Sequence, residues 1–266
     1  RAKAAGKFSG DKDNIEWIDL TDGEDSEFLG YDTLESNSRI LRYAQQEDQI
    51  LVVLDQTPFY AESGGQVGDT GEMTGDGIAL QVQDVVKENS VFIHICFGTM
   101  DEHNEVACKV DVARRKSIMK NHTAAHLIHK ALKDVLGDHV NQAGSLVHPD
   151  YMRFDLTHFE KLTKEQIRDI ENKVNEQILL NIELTASIKG FDEAKEAGAE
   201  ALFGEKYGDE VRVIQVGDYS MELCGGTHVE RTGDIGSFKI LEESSLSSGV
   251  RRIMAITGKK AVDYIQ

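Results

Sequence analysis

The sequence is short of several features, and each shortage narrows what the protein can be. Its 266 residues include only three cysteines, Cys96, Cys108 and Cys224, without the regular spacing of a disulfide framework. We therefore expect free thiols and a reducing, cytoplasmic location. Apolar runs fall far short of the roughly 20 residues that cross a bilayer, and no secretion signal is present. We expect no membrane partner.

Positive charge is also scarce. The chain has 29 Lys and Arg against 47 Asp and Glu, a formal net charge of −18. A protein that holds nucleic acid on a broad basic surface has the opposite balance, so the composition argues against strong autonomous binding of nucleic acid. Short basic clusters remain at Arg114, Arg115 and Lys116 and at Arg251 and Arg252. Each is most simply a set of solvated charges, but each leaves room for a local phosphate contact.

Hydrophobic periodicity predicts an α+β fold with two domains. Residues 1–112 alternate apolar and polar side chains in short segments, typical of a small β-barrel-like domain. Residues 113–266 mix strands with a helix at 113–136 and a second helix that follows a capping box at 163–166. The predicted strands are residues 15–20, 50–54, 78–86, 91–97, 106–112, 151–157, 211–216, 236–241 and 251–257.

Two short passages contain residues with metal-binding chemistry. His122 and His126 lie four residues apart on the first predicted helix, so both imidazoles can face one ion. Cys224 and His228 flank two glycines, which permit a positive-φ backbone that turns both side chains inward. Three imidazole nitrogens and one thiolate suit tetrahedral zinc, so we predict one Zn²⁺ per chain.

These residues also have simpler interpretations than a zinc site. A histidine pair at helical spacing is more often packed or exposed than metal-bound, and it is the second passage that favours a metal. A zinc peptidase helix has glutamate after the first histidine, whereas Thr123 stands here, which excludes that class. Cys96 and Cys108 are expected to be buried apolar side chains.

Two further passages are rich in glycine and polar residues. Residues 59–69 include the sequence Gly-Gly-Gln at 64–66 and, taken alone, form a surface turn; no Gly-Lys-Ser/Thr follows as in a phosphate-binding loop. Residues 141–145, taken alone, form a polar loop.

Taken in order, these passages resemble the editing domain of alanyl-tRNA synthetase. Freestanding alanyl-editing proteins and the editing domain of threonyl-tRNA synthetase share the two metal passages more loosely. The first residue is Arg1 and residues 1–8 also resemble the family, so we expect a piece of a larger synthetase. The passages that carry the resemblance are residues 57–66, 121–127, 142–145, 201–208, 221–228 and 249–253.

The resemblance implies an aminoacyl-tRNA deacylase with an α/β editing core. The family hydrolyses the ester of serine or glycine wrongly attached to tRNA(Ala), so the mischarged tRNA and the other synthetase domains are the implied partners. The implied zinc ligands are His122, His126, Cys224 and His228. Gln142 matches a glutamine of the editing pocket.

Further substrate contacts are predicted around this site. Thr123 or Gln142 could supply a hydrogen bond that recognises the serine hydroxyl and leaves the partner unpaired with alanine. The glycine passage matches a family motif near the amino-acid end of the tRNA. The predicted tRNA contacts are Gly64, Gly65, Gln66, Arg114, Arg115, Lys116, Arg251 and Arg252.

The role of the metal and the functional class stay open at this point. Four protein ligands would close the zinc shell, whereas a catalytic zinc keeps one position open, so zinc could act on water or only organise the pocket. The alternatives are a zinc-stabilised tRNA-binding module without turnover and a freestanding trans-editing protein. No amino-acid-activating segment is recognisable, so we do not expect this chain to charge tRNA by itself. We expect it to be monomeric.

Overall fold

The computed structural model of the protein describes residues 15–202 and 206–266. Its mixed α+β fold confirms the predicted class and divides into two compact units. Residues up to 62 and residues 68–112 form the first unit, and residues 63–67 and 113–266 form the second. The leader at residues 1–8 and the middle of the passage at 201–208 lie outside the described residues. Within the described residues, no helix has the length and apolar character needed to cross a membrane.

The first unit contains a closed barrel of six antiparallel strands, which confirms the predicted barrel. The strands of the whole unit are β1 (Ile18–Asp19), β2 (Glu27–Phe28), β3 (Glu35–Gln46), β4 (Gln49–Leu54), β5 (Gln56–Thr57), β6 (Gly71–Gly75), β7 (Ile78–Glu88), β8 (Val91–Thr99) and β9 (Glu105–Val110). The order around the barrel is β3, β4, β8, β7, β6 and β9, and β9 pairs back onto β3. Alternate side chains of β7 and β9 point inward, as their period of two requires.

Strand β3 is longer than the sequence pattern indicated. Its second half pairs with β4, and its first half, residues 35–39, pairs with β9 and closes the barrel. That first half reads Glu-Ser-Asn-Ser-Arg, so it lacks the apolar alternation by which a strand is recognised. Pairing with β9, and not the local sequence, determines its conformation.

His94 is a neutral histidine in the interior of the first unit. Its Nδ1–H donates to the carbonyl oxygen of Val52 at 2.9 Å, and its Nε2 accepts the hydroxyl of Thr57 at 2.7 Å. Burial lowers the pKa of His94 to about 4, although the bond to Val52 acts in the opposite direction. A protonated ring would require the Thr57 hydroxyl to turn and accept instead of donate.

We expect His94 to make folding acid-sensitive. Its folded pKa of about 4 lies below the ordinary 6.5, so its contribution to stability is complete above pH 6.5 and is lost as the pH falls toward 4. The loss amounts to roughly 1.4 kcal/mol per pH unit within that window. In His94→Gln, which does not titrate, this part of the slope should vanish. Urea unfolding at pH 6.5 and 4.5 measures it, and equal pH slopes in both chains would contradict the prediction.

The second unit packs two helices against a four-stranded sheet and carries a smaller sheet beside them. Its elements are α1 (Val112–Leu136), β10 (Gln142–Val147), β11 (Met152–Thr157), α2 (Lys164–Leu179), β12 (Leu184–Gly190), α3 (Phe191–Glu196), β13 (Glu210–Val216), β14 (Ser220–Leu223), a 3₁₀ turn (Thr232–Ile235), β15 (Phe238–Ser247), β16 (Val250–Thr257) and α4 (Gly258–Ile265). The larger antiparallel sheet has the order β10, β11, β16, β15, and the smaller one β12, β13, β14. The apolar core lies between the larger sheet, α1 and α2.

Helix α1 is enclosed in its middle. Residues 121–129 are all buried, so its polar side chains there lie inside the unit. Helix α2 begins at the predicted capping box: the Gln166 N–H donates to the Thr163 hydroxyl at 3.1 Å, and the Thr163 N–H donates to the Gln166 side chain at 2.9 Å. The polar loop expected at residues 141–145 is wrong, because β10 pairs there with β11 across a β-bulge.

Candidate metal centre

Four side chains converge in the interior of the second unit. His122 and His126 lie one turn apart on α1, and Cys224 and His228 lie between β14 and the 3₁₀ turn. Their donor atoms all lie within 4.8 Å of one another. The Sγ of Cys224 is 3.4 Å from Nε2 of His122 and 3.3 Å from Nε2 of His228. A tetrahedron with ordinary metal–ligand bonds separates sulfur and nitrogen by about 3.6 Å, so the cluster can hold a metal ion.

Neutral side chains form hydrogen bonds with the Nδ1 atoms of two of the imidazoles, on the side of each ring that faces away from the cluster. The Nδ1 of His122 lies 2.7 Å from Oε1 of Gln66, which also accepts the backbone N–H of Thr227 at 2.9 Å. The Nδ1 of His228 lies 3.0 Å from the hydroxyl oxygen of Thr123, which also accepts a backbone N–H. An amide oxygen can only accept, so Nδ1 of His122 carries the proton, and the same tautomer of His228 lets its Nδ1 donate to the Thr123 oxygen. The Nε2 lone pair is then directed to the metal position.

A carboxylate holds the third imidazole. Glu222 lies on β14, and its Oε2 is 3.2 Å from Nδ1 of His126, a charge contact without hydrogen-bond alignment. Its Oε1 accepts a hydrogen bond from Nδ1 of His129. Burial opposes ionisation, yet the pKa of Glu222 is lowered because His126 and His129 favour the carboxylate. A carboxylate behind a ligating imidazole is a recurrent outer layer of metal sites.

Burial keeps the cluster histidines neutral. The pKa of His122 and that of His228 lie well below the ordinary value because burial disfavours the imidazolium, and the neighbouring histidines and Arg212 add to this effect. Burial also lowers the pKa of His126, although Glu222 acts in the opposite direction. Neutral imidazole is the form that binds metal ions.

Arg212 and Gly226 shape the segment that carries Cys224. The Nη1 of Arg212 donates to the carbonyl oxygens of Cys224 and Gly226 at 3.1 and 2.8 Å. The φ of Gly226 is not positive, so the expectation of a left-handed glycine there is wrong. Glycine is required instead because a Cβ at this position would lie 1.9 Å from Cε1 of His122.

Gly64 and Gly65 form the turn that brings Gln66 to the cluster. Their φ values are 57° and 85°, and the backbones of Ser63 and Gln66 exchange hydrogen bonds across them, as in a two-residue type I′ turn. The turn lies along β10, where the N–H of Val147 donates to Gly65 O at 2.7 Å. Gln66 is completely buried. Its contact with tRNA stays a prediction, whereas its observed partners belong to the cluster.

The predicted pocket residues lie on two elements of the second unit. Gln142 is half-buried at the start of β10, opposite Leu156 and beside the β-bulge. Thr123 is fully buried on α1 with its oxygen directed to His228. Their roles toward a substrate stay predictions.

The basic residues at the start of α1 differ in exposure. Lys116 is exposed and Arg114 is half-buried, whereas Arg115 is only 1% exposed. Of these three side chains, Lys116 is the most accessible to a phosphate.

The basic residues of β16 are paired with acids. The guanidinium of Arg252 donates to both carboxylate oxygens of Asp155, at 2.8 and 3.1 Å, and Arg251 donates to Glu243. Asp155 raises the pKa of Arg252 and Glu243 raises that of Arg251, through hydrogen bonds. Their contact with tRNA would require these ion pairs to be shared or broken.

Sequence reasoning missed the outer layer of the cluster. Glu222, Arg212, His129 and the metal-side role of Gln66 were not identified. The sequence did contain a signal for Glu222. It lies two positions before the candidate ligand Cys224, and residues two apart in an extended segment face the same side. Gln66 had none, because its partner His122 lies 56 residues away.

Two segments of the chain match family models of tRNA synthetases. Residues 211–254 match the family described as the threonyl and alanyl tRNA synthetase second additional domain. Residues 1–114 match the family described as tRNA synthetases class II (A). The first of these ranges contains Cys224, His228, Glu222 and Arg212.

Several relatives with high identity are named alanine–tRNA ligase. The chain is 49% identical to that of Thermoanaerobacter sp. (strain X514) over 255 residues, which is 91% of this chain and 29% of that protein. It is 46% identical to that of Halorhodospira halophila over 278 residues, which is 100% of this chain and 32% of that protein. It is 50% identical to that of Acetivibrio thermocellus over 252 residues, 90% of this chain and 29% of that protein. The chain thus spans about a third or less of the length of these relatives.

Proposed function

Because the chain is homologous to a segment of alanine–tRNA ligases, we propose that it is their editing part, a zinc-containing deacylase. Its substrates are tRNA(Ala) esterified with serine or glycine, and its partners are that tRNA and the remaining synthetase domains. The observation that carries the proposal is the convergence of three histidines and one cysteine within 4.8 Å, each imidazole held from behind. A reducing cytoplasm, where Cys224 stays a thiol, is the matching compartment.

The donor set fits zinc. His122, His126 and His228 present neutral nitrogens and Cys224 presents sulfur, at separations close to those of a tetrahedral site. When bound, zinc supplies a positive centre able to polarise a carbonyl or a water molecule. The chain itself fixes the direction of the ligands through Gln66, Thr123 and Glu222, so their rings need little reorganisation to bind.

Selectivity for serine over alanine requires a buried group that the serine hydroxyl alone can satisfy. Alanine would leave that group unpaired, at a cost of about 1–3 kcal/mol. Of the two predicted pocket residues, Thr123 already has its oxygen directed to His228 and to a backbone N–H. We therefore assign recognition of the hydroxyl to Gln142. Glycine, which has no side chain, is admitted by size.

The direct test is hydrolysis by the isolated chain of Ser-tRNA(Ala) beside correctly charged Ala-tRNA(Ala). We expect release of serine and no release of alanine. The alternative is a zinc-stabilised tRNA-binding module without turnover, which a zinc shell closed by four protein ligands would also suit. A chelator-treated sample, measured separately for folding by circular dichroism and for hydrolysis, distinguishes the two. A folded, zinc-loaded chain that leaves Ser-tRNA(Ala) intact would overturn the proposal.

Gln142→His should slow deacylation of Ser-tRNA(Ala) at least tenfold, because the group that pairs with the hydroxyl is replaced by one of different shape and reach. Zinc content should stay at one ion per chain. Gln81→His, an exposed position on β7, is the matched control and should keep the parental rate. A parental rate in Gln142→His would show that Gln142 is outside the pocket.

Affinity for tRNA should be low and only weakly dependent on salt. The net charge is −18, Arg115 is buried, and Arg251 and Arg252 are paired with acids, so few cations are available to displace counterions from phosphate. Filter binding from 50 to 200 mM salt should give a log–log slope shallower than about −3. Tight binding with a steep slope would contradict this expectation.

A further inference from the structure

One carboxylate connects two histidines of helix α1. Glu222 lies 3.2 Å from Nδ1 of His126 through Oε2, and its Oε1 accepts a hydrogen bond from Nδ1 of His129. All three side chains are enclosed: 6% of each imidazole and 12% of the Glu222 side chain are exposed. His129 does not belong to the four-residue cluster, so its contact with Glu222 needs a separate explanation.

Packing alone does not account for a histidine at position 129. Its ring lies 5.4 Å from the Phe154 ring, an apolar neighbour, and its Nε2 is buried without a hydrogen-bond partner. A leucine would fill this place without a buried unpaired nitrogen. The one polar interaction of His129 among the described residues is the hydrogen bond from Nδ1 to Glu222.

That hydrogen bond determines which way the carboxylate faces. The terminal torsion of a glutamate is broad, so a carboxylate with a single charge contact can rotate. A cavity of about 340 Å³ borders both His129 and Glu222 and offers space into which the carboxylate could turn. With Oε1 held by His129, Oε2 stays beside His126 and favours the proton on Nδ1 of that ring.

We propose that His129 is a positioning residue of the metal centre, which fixes the carboxylate of Glu222 and through it the His126 imidazole. The proposal rests on the proposed zinc site. It extends the outer layer by one residue beyond those that contact the ligands. Loss of such outer contacts typically weakens metal binding by about 10- to 100-fold.

The test is zinc affinity, measured by competition with a chromophoric chelator for the full chain, three variants at position 129 and one control variant. His129→Leu keeps the bulk and removes the donor, and we expect about tenfold weaker zinc binding. His129→Asn places an amide N–H near the position of Nδ1 and should bind zinc within about threefold of the parent. His129→Gln places its amide near the position of Nε2 and should resemble His129→Leu. His139→Leu, an exposed histidine outside the cluster, is the control and should bind like the parent.

A second readout separates positioning from a merely structural role. Cobalt in place of zinc gives visible absorption bands that depend on ligand geometry, and these should shift in His129→Leu and His129→Gln but not in His129→Asn. Thermal unfolding of the metal-free chains should show some loss of stability in His129→Leu, because the enclosed Glu222 carboxylate loses a hydrogen-bond donor. The cobalt spectrum of the folded, metal-loaded chain therefore decides the positioning role.

The possible results distinguish this inference from the proposed function. If the parent chain binds zinc and His129→Leu has parental affinity and a parental cobalt spectrum, the positioning role is overturned and the zinc site stands. The same holds if Asn and Gln weaken binding equally. If the parent chain binds no zinc, the proposed function fails and this inference fails with it.

Discussion

Cys224→Ala should lose zinc binding by more than about 100-fold, together with most of the hydrolysis of Ser-tRNA(Ala). The thiol is the one sulfur donor among the four ligands, and it lies 3.4 and 3.3 Å from two of the three ligating nitrogens. Its loss exceeds that of an outer-layer contact, which by itself costs about 10- to 100-fold in affinity. Elemental analysis after dialysis against a competing chelator measures the retained zinc.

The other cysteines provide the matched control for this change. Cys96 is buried in the first unit, where burial and Cys108 raise its thiol pKa above the ordinary range. It does not belong to the cluster of three histidines and Cys224. Cys96→Ala should therefore retain one zinc per chain. Equal zinc content in Cys224→Ala and Cys96→Ala would contradict the assignment of Cys224 as a ligand.

Gly226→Ala should also weaken zinc binding strongly, although it removes no donor. The added methyl carbon would lie 1.9 Å from Cε1 and 2.3 Å from Nδ1 of His122, and 2.9 Å from Oε1 of Gln66. His122 is buried and held by Gln66, so the ring has no free space into which it can move. We expect destabilisation of about 1–3 kcal/mol from overpacking, and at least tenfold weaker zinc binding because His122 leaves its position.

Gly208→Ala controls for the loss of a glycine as such. The φ of Gly208 is not positive, and the nearest atom to a Cβ there, the carbonyl oxygen of Glu210, would be 3.9 Å away. We expect a change in the free energy of unfolding within about 0.5 kcal/mol and full zinc content. If Gly226→Ala behaved like Gly208→Ala in chelator competition and urea unfolding, the close packing of Gly226 on His122 would be refuted.

The elements that could be predicted are those whose conformation is determined by residues close together in the sequence. The spacing of His122 and His126 depends only on helix geometry, and the capping box of α2 is complete within Thr163 and Gln166. The first half of β3 and the strand β10 were missed because both are polar and are ordered by pairing with distant strands. Local pattern contains no information on a partner tens of residues away.

The same reason limited prediction of the site. Residue type and spacing were enough to pick out the four side chains that cluster, but not the side chains that contact them. Gln66 appeared as part of a surface turn, because nothing in residues 59–69 reveals that His122 and Thr227 surround its amide. The requirement for Gly226 was attributed to backbone conformation, whereas it comes from the volume of a ring 104 positions earlier in the chain.

The Gly64–Gly65 turn also has a consequence for the order in which the centre forms during synthesis. Gln66 bonds to His122 across 56 residues and to Thr227 across 161 residues. Such separations make loop closure slow compared with formation of α1 itself. A ribosome exposes Gln66 first, then α1, and the Cys224 segment last, so a nascent chain has two ligands and an outer partner waiting while the other two are still being made. Metal capture should therefore be a late event in the maturation of this chain, because it requires synthesis of residues 127–228 and does not accompany folding of the barrel.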